Sequence, residues 1–216
     1  MSFDLSNIKQ LHMETSSVCN ASCPMCPRER PNFNKKTDPT SLSLEKVKTL
    51  FNDDFIRNLD SMYMCGNYGD PAAAPDTKEI FRYFRKINNN IALVMHSNAS
   101  LRTKKWWREL GSILSQPNDY CVFSIDGLKD TNHIYRVGTD FDKIRDNAIN
   151  FISSGGIAHW HFMVFEHNEH QVEEAEALSK NLGFVEFHTK VSCRFNMWPK
   201  VTHIKAPMGE KYRDQM

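Results

Sequence analysis

Apolar residues along this chain follow two rhythms that take turns. Short runs of β-prone residues over 11–15, 61–65, 91–96, 120–125, 159–165 and 184–191 predict six strands. Between them, apolar positions recur every three or four residues, the period of a helix with one buried face. Leu44, Val47, Leu50, Phe51 and Phe55 predict a helix over 41–56, with Ser43 as its N-cap. Ile80, Phe84 and Ile87 mark a helix over 77–88, and the next is predicted over 103–114, where Trp106-Trp107 reads as helix packing. Ile144, Ala148 and Phe151 mark a helix over 141–152 that ends before Gly155-Gly156. Val172, Ala175 and Leu178 mark the last one, over 169–182, with Gly183 as its stop.

Regular βα alternation argues for an α/β fold with a parallel sheet and outer helices. The chain has 216 residues, of which 25 follow Val191. Two further βα units would need about 60 residues, and a closed eight-fold barrel typically takes about 250. The sequence therefore predicts a partial (β/α)6 TIM-like barrel over 1–195. Its open edge would admit a large substrate or a partner chain. A C-terminal tail over 196–216 mixes Pro, Gly and charges without periodicity, and is expected to order only against a partner or the barrel rim.

Formal net charge is +1, so no global field favours nucleic acid or a membrane surface. No apolar run approaches the roughly 20 residues of a membrane span. The first residues lack the basic and apolar blocks of a signal peptide, and a cytoplasmic protein is expected. Six cysteines in a chain of this size do not read as a secreted disulfide framework. Cys65, Cys121 and Cys193 are scattered, but Cys19, Cys23 and Cys26 lie within eight residues as C-x3-C-x2-C. Three close thiolates suit three corners of a cubane iron–sulfur cluster, which normally takes four. The remaining iron is then open to a small molecule. Zinc is the alternative, but it usually takes paired C-x2-C or Cys/His units, and no second pair is present.

In parallel βα folds, ligands gather at the C-terminal ends of the strands. The cysteine loop follows the first strand. Gly66-Asn67-Tyr68-Gly69-Asp70-Pro71 follows the second, Ser97-Asn98 the third, and Ser124-Ile125-Asp126-Gly127 closes the fourth. Glycines permit close backbone approach to a ligand, and the fork of Arg136 suits a carboxylate.

These motifs, spread over residues 11–195, resemble the radical S-adenosylmethionine (SAM) superfamily. The triplet is similar to its C-x3-C-x-Φ-C motif, with Met25 at Φ. Gly69-Asp70-Pro71 resembles its Gly-Gly-Glu-Pro turn, with Tyr68 in place of a glycine and Asp70 in place of the glutamate. Ser97-Asn98 is similar to its ribose motif. Ser124 and Asp126, followed by Tyr135-Arg136, resemble its S-x-D-G … Y-R signature. The resemblance implies that Cys19, Cys23 and Cys26 hold a 4Fe–4S cluster. It also implies that Met25, Gly66, Asn67, Tyr68, Gly69, Asp70, Ser97, Asn98, Ser124, Asp126, Arg136 and Phe165 surround SAM. The turn would take the amino group, the serine the ribose, and the arginine the carboxylate. The stretch from Phe165 with Asn168-Glu169 looks most like the SPASM/Twitch branch. With Cys193 the sole cysteine after Cys121, the tail is expected to carry no auxiliary-cluster domain.

The implied activity is reductive cleavage of SAM to a 5′-deoxyadenosyl radical, with an electron from a flavodoxin- or ferredoxin-type donor. The radical would abstract hydrogen from a substrate left unidentified: a peptide, a nucleoside or a carbohydrate derivative. Adenosyl transfer, a non-catalytic iron–sulfur carrier and a degenerate binding or partner subunit are the rival readings. Glu14 reads either as a solvated rim carboxylate or as a group orienting the cysteine loop or a substrate. Cys65 reads as an inert thiol, and His159, His161, His167 and His170 as packed or exposed side chains. Arg28, Arg30, Lys35 and Lys36 flank the cysteine loop, where solvation is the simpler reading and an anionic substrate or a reductase the alternative.

Overall fold

The computed structural model describes residues 5–29, 39–198 and 200–215. Arg30, Lys35 and Lys36 lie outside the described residues. Six strands form one sheet in chain order: β1 (Gln10–Met13), β2 (Ser61–Met64), β3 (Ala92–Ser97), β4 (Tyr120–Ser124), β5 (Ala158–Val164) and β6 (Glu186–Val191). Every neighbouring pair is parallel. β1 and β6 are the two edges of the sheet, so the barrel is partial, as the sequence predicts.

The helices among the described residues are α1 (Leu44–Leu50), α2 (Asp53–Asn58), α3 (Thr77–Ile87), α4 (Lys104–Ile113), α5 (Asn132–Tyr135), α6 (Phe141–Ile152) and α7 (Val172–Leu182). The predicted helix over 41–56 is two helices. Asn52 leaves helical geometry at φ −78° and ψ 165°, and its side chain accepts a 2.8 Å bond from the Phe55 amide. An Asn that caps a new helix outcompetes continuation of the old one. Ser43 caps α1 as expected, accepting from the Lys46 amide. Gly183 ends α7 in the left-handed region at φ 90°.

Strand parity sorts the chain into a dry and a polar face. Met62, Met64, Leu93, Met95, Cys121, Phe123, Trp160 and Phe162 are buried outward, under Ile80, Phe84, Trp107, Leu110, Ile144 and Phe151 of the helices. The opposite parity carries His12, Tyr63, His96, Tyr120, His159, His161 and His188. These rings touch one another across the strands: His12 stacks on Tyr63 at 4.6 Å and Tyr120 on His159 at 4.4 Å. His161 lies 5.9 Å from His96 and 5.3 Å from His188. A closed barrel of this kind fills its interior with branched apolar side chains. This open one carries polar rings, with the buried Val94 and Val122 among them.

The tail orders against the rim. Trp198 and Ile204 are buried with Ala21, Cys23, Met25, Tyr135 and Phe165 in a second apolar cluster, and Tyr212 joins the main core. The Glu169 carboxylate accepts from the Met208 and Gly209 amides at 2.8 and 3.0 Å.

At the other end of the sheet, buried Asp119 accepts from Arg85 of α3 at 2.6 and 2.7 Å. It also accepts from the Leu93 and Gln116 amides. Its removal strands a guanidinium and two amides. Asp119→Ala is expected to cost about 3–5 kcal/mol, the usual result of deleting one partner of a buried pair. The urea unfolding midpoint measures it; an unchanged midpoint would show that this tie carries no stability.

Candidate active site

The three cysteines lie on the loop that follows β1, and this loop is tied down along its length. The Ser22 amide donates to the Val137 carbonyl at 2.9 Å, and the Asp70 amide donates to the Val18 carbonyl at 2.8 Å. Arg28 donates to the Ala21 carbonyl and Arg194 to the Met25 carbonyl, both at 3.1 Å. Gly69 is pressed against the loop: a Cβ there would fall 2.2 Å from the Ser16 carbonyl oxygen. Only glycine allows the two backbones to meet so closely.

Cys19, Cys23 and Cys26 open onto one cavity of about 150 Å3, walled also by Arg28, Gly66, Gly69, Asp70, Ser97, Asn98, Ser124 and Arg136. Four of the strand ends singled out in the sequence thus converge. A chamber of about 400 Å3 adjoins it, sharing Cys23, Cys26, Cys65, Gly66 and Arg136, and Asn67 lies on its wall.

Two buried carboxylates organise these walls. Asp70 accepts from the Ser97 hydroxyl at 2.8 Å, the Asn98 amide at 2.9 Å and the Ala72 amide at 2.9 Å. Burial pushes its carboxyl above the ordinary range, against those hydrogen bonds, which pull it down. Ser97 therefore directs its proton into the protein. The Asn98 side chain reaches the cysteine loop instead, 3.0 Å from the Asn20 side-chain oxygen and 3.5 Å from the Cys19 sulfur. Asp126 accepts from Arg136 Nε at 2.5 Å and from the Met163 amide at 2.7 Å. With Nε so fixed, Arg136 turns Nη1 to within 4.0 Å of the Cys23 sulfur.

Several predicted residues stand off the cavity wall. Met25 and Phe165 are fully buried in the second apolar cluster, where Phe165 packs on Tyr135 at 4.4 Å. Tyr68 is exposed on the outer side of its turn. Asp126, fully buried, acts through Arg136. Glu14 stays partly exposed at the rim. Its carboxylate accepts from the Asn67 and Tyr68 amides and from the Asn67 side chain, and so shapes the turn after β2. Cys65, which the sequence puts at a strand end near the site as an inert thiol, reaches the cavity wall, and so does His96, which the sequence does not assign there. Lys190, Ser192, Cys193 and Arg194 likewise line the chamber. Strand parity is the signal that finds His96 and Lys190, since both share the face of His161 and His188.

Three thiols on one cavity suit the chemistry of a cubane cluster. Among the described residues, no group of three or more His, Cys, Asp or Glu is arranged to hold one metal ion. A cubane asks each thiolate to reach only its own iron. Burial pushes the Cys23 thiol up to about 11 and raises Cys19 as well, so both are protonated without a metal. A bound cation reverses that preference, and loading must release protons.

A family model described as the Radical SAM superfamily matches residues 13–179, and the chain belongs to that superfamily. Its members use a 4Fe–4S cluster and SAM. Among solved structures, Streptococcus suis SuiB bound to precursor peptide SuiA superposes with TM-score 0.70 at 16% identity, covering 91% of this chain and 42% of that one. SuiB bound to SAM gives 0.67 at 17%, covering 86% and 41%. Histidine-tagged anSMEcpe with bound AdoMet gives 0.62 at 18%, covering 84% and 49%. At these identities the likeness is one of fold, and this chain spans less than half of each. No curated protein matches the sequence. No helix among the described residues is long and apolar enough to cross a membrane.

The polar inner face makes stability depend on pH. Burial, reinforced by the Lys190 charge, lowers the pKa of both His96 and His161 to about 4. An unfolded His titrates near 6.5, so between about 4 and 6.5 the unfolded chain binds more protons. Their contribution is complete above about 6.5 and is lost as pH falls toward 4. The urea midpoint is expected to drop across this window, and less steeply in the His96→Asn/His161→Asn double variant. Equal slopes would show that neither ring is held neutral.

Proposed function

We propose that this chain is a radical SAM enzyme whose cluster is held by Cys19, Cys23 and Cys26. The observation that carries the reading is convergence: three thiols, Gly66, Gly69 and Asp70 of the turn after β2, Ser97-Asn98, Ser124 and Arg136 all line one cavity at the C-terminal ends of the strands. When bound, the cluster supplies an electron, delivered by a flavodoxin- or ferredoxin-type donor, that splits the sulfonium bond of SAM and yields a 5′-deoxyadenosyl radical able to take hydrogen from a substrate carbon.

The chain's own residues hold and orient. Gly66 and Gly69 put the backbone of the turn on the cavity wall without side chains, where its carbonyls would suit the amino group of SAM. Asp70 fixes the turn to Ser97 and Asn98, and Ser124 offers its hydroxyl to the ribose. After its bond to Asp126 and the Nη1 contact with the Cys23 sulfur, Arg136 has three N–H donors left, and these suit the carboxylate. Met25 and Phe165 act from beneath, packing the cysteine loop and Tyr135 in place. SuiB and anSMEcpe have been solved with peptides bound, and the open edge between β1 and β6 suits an extended substrate of that kind.

The test is chemical. After anaerobic reconstitution with iron and sulfide, dithionite and SAM are added and 5′-deoxyadenosine and methionine are quantified. Both products are expected from the native chain and neither from Cys23→Ala. Asp126→Asn, which leaves Arg136 without its counter-charge, is expected to slow cleavage by roughly 10-fold or more, as the loss of a charged hydrogen bond implies. A reduced, SAM-binding cluster that yields no cleavage product, neither methionine with 5′-deoxyadenosine nor methionine with an adenosyl adduct, would overturn the enzyme reading. An adenosyl adduct in its place would identify a transferase.

A further inference from the structure

The chamber beside the thiols has a strongly one-sided charge. Arg136, Lys190 and Arg194 lie on its wall, and among the described residues no Asp or Glu does. Each cation is accounted for differently. Arg136 is paired with Asp126 beneath it. Arg194 is braced, with one donor on the Met25 carbonyl and its guanidinium 5.8 Å over the Trp198 ring, which leaves its other N–H groups unassigned. Lys190 has no hydrogen-bond or ion-pair partner among the described residues.

Lys190 sits on the inner face of β6, opposite Met163 in register and one step along that face from His188. The register of β6 on β5, Lys190 beside Met163 and His188 beside His161, puts Lys190 on the side of the histidine-lined interior. The carboxylates around this space are already engaged. Glu14 holds the Asn67 and Tyr68 amides, Asp70 holds Ser97 and Asn98, and Asp126 holds Arg136. With Arg136 neutralised by Asp126, Lys190 and Arg194 are the wall cations that have no carboxylate partner among the described residues, and two such cations in a concave site attract an anion. Lys190 is exposed and its ammonium is free to exchange water for a ligand, and an anionic group gives it a counter-charge that a neutral or cationic one does not.

We propose that the substrate of this site carries an anionic group, a carboxylate or a phosphate, gripped by Lys190 with Arg194 beside it. This deepens the radical SAM reading and rests on it. The group would dock at the β6 wall, with the rest of the substrate reaching across the chamber toward Cys23 and Cys26. Lys190 provides an adaptable point charge, and Arg194 a planar fork already fixed in orientation.

Binding tests this without requiring turnover. The reconstituted, SAM-loaded protein is titrated by calorimetry with inorganic phosphate and, separately, with succinate, at constant ionic strength against chloride. At least one anion is expected to bind above the chloride control; which of the two binds tells phosphate from carboxylate. Lys190→Gln is expected to weaken that anion by about tenfold or more, the worth of one charge-assisted hydrogen bond, and Arg194→Gln to weaken it as well. The affinity for SAM, titrated in the same preparations, is expected to be unchanged in Lys190→Gln. Absence of binding by both anions would overturn the proposal, as would equal anion affinity in the native chain and both variants. A Lys190→Gln variant that loses SAM instead of the anion would also overturn it, by assigning the lysine to SAM. Failure of the radical SAM reading looks different: the native chain would form neither 5′-deoxyadenosine nor an adenosyl adduct, whatever the anions do.

Discussion

Withdrawing a carboxylate and a guanidinium from water costs several kcal/mol for each ion, and only good geometry with further hydrogen bonds offsets it. Asp126 and Arg136 meet those terms at the end of β4. One carboxylate oxygen takes Arg136 Nε and the other takes the Met163 amide of β5. The Asp126 amide donates to the Asn132 side chain of α5, and its carbonyl accepts from Asn168 in the loop after β5. Arg136 then faces the Cys23 sulfur. Two strand ends, a short helix and the cysteine loop are thereby set relative to one another by a single pair. Asp70 does the corresponding work for β2 and β3. The cavity between these two carboxylates is where three thiols and the polar rim converge.

The sheet adds a second constraint. Its outer face is packed under helices, and its inner face is polar because the sheet stays open between β1 and β6. β5 shows the division most plainly: Trp160 and Phe162 point to the helices, His159 and His161 to the interior. A lumen of this kind can hold a polar substrate without filling itself with its own side chains. The second apolar cluster, with Trp198 and Ile204 seated on the cysteine loop, keeps that loop dry from behind while its sulfurs face the cavity.

Much of this was legible in the sequence because it rests on local rules. Helix and strand periods, the Ser43 cap and the Gly183 stop depend on neighbouring residues, and the rim motifs follow from the βα order. What escaped depends on distant partners. Asn52 divides a helical pattern because its side chain finds an amide three residues on, a choice that apolar spacing does not record. Glu14 looks like a surface carboxylate until the turn after β2 brings amides to it. Asp126 stands inside a motif, yet its work is visible only once Arg136 is folded against it. Trp198 and Ile204 have no periodicity, so their burial on the cysteine loop follows only from tertiary packing. His96 and Lys190 needed strand parity joined to the knowledge of which face is open.

The central claim is that three thiols hold a cluster with one iron left for SAM. The most direct measurement is the EPR spectrum of the anaerobically reconstituted, dithionite-reduced protein, recorded with and without SAM. The expected result is a reduced 4Fe–4S signal that changes when SAM is added, since SAM would bind the open iron. A cluster signal indifferent to saturating SAM would contradict the claim, because it would show every iron already ligated or SAM bound elsewhere.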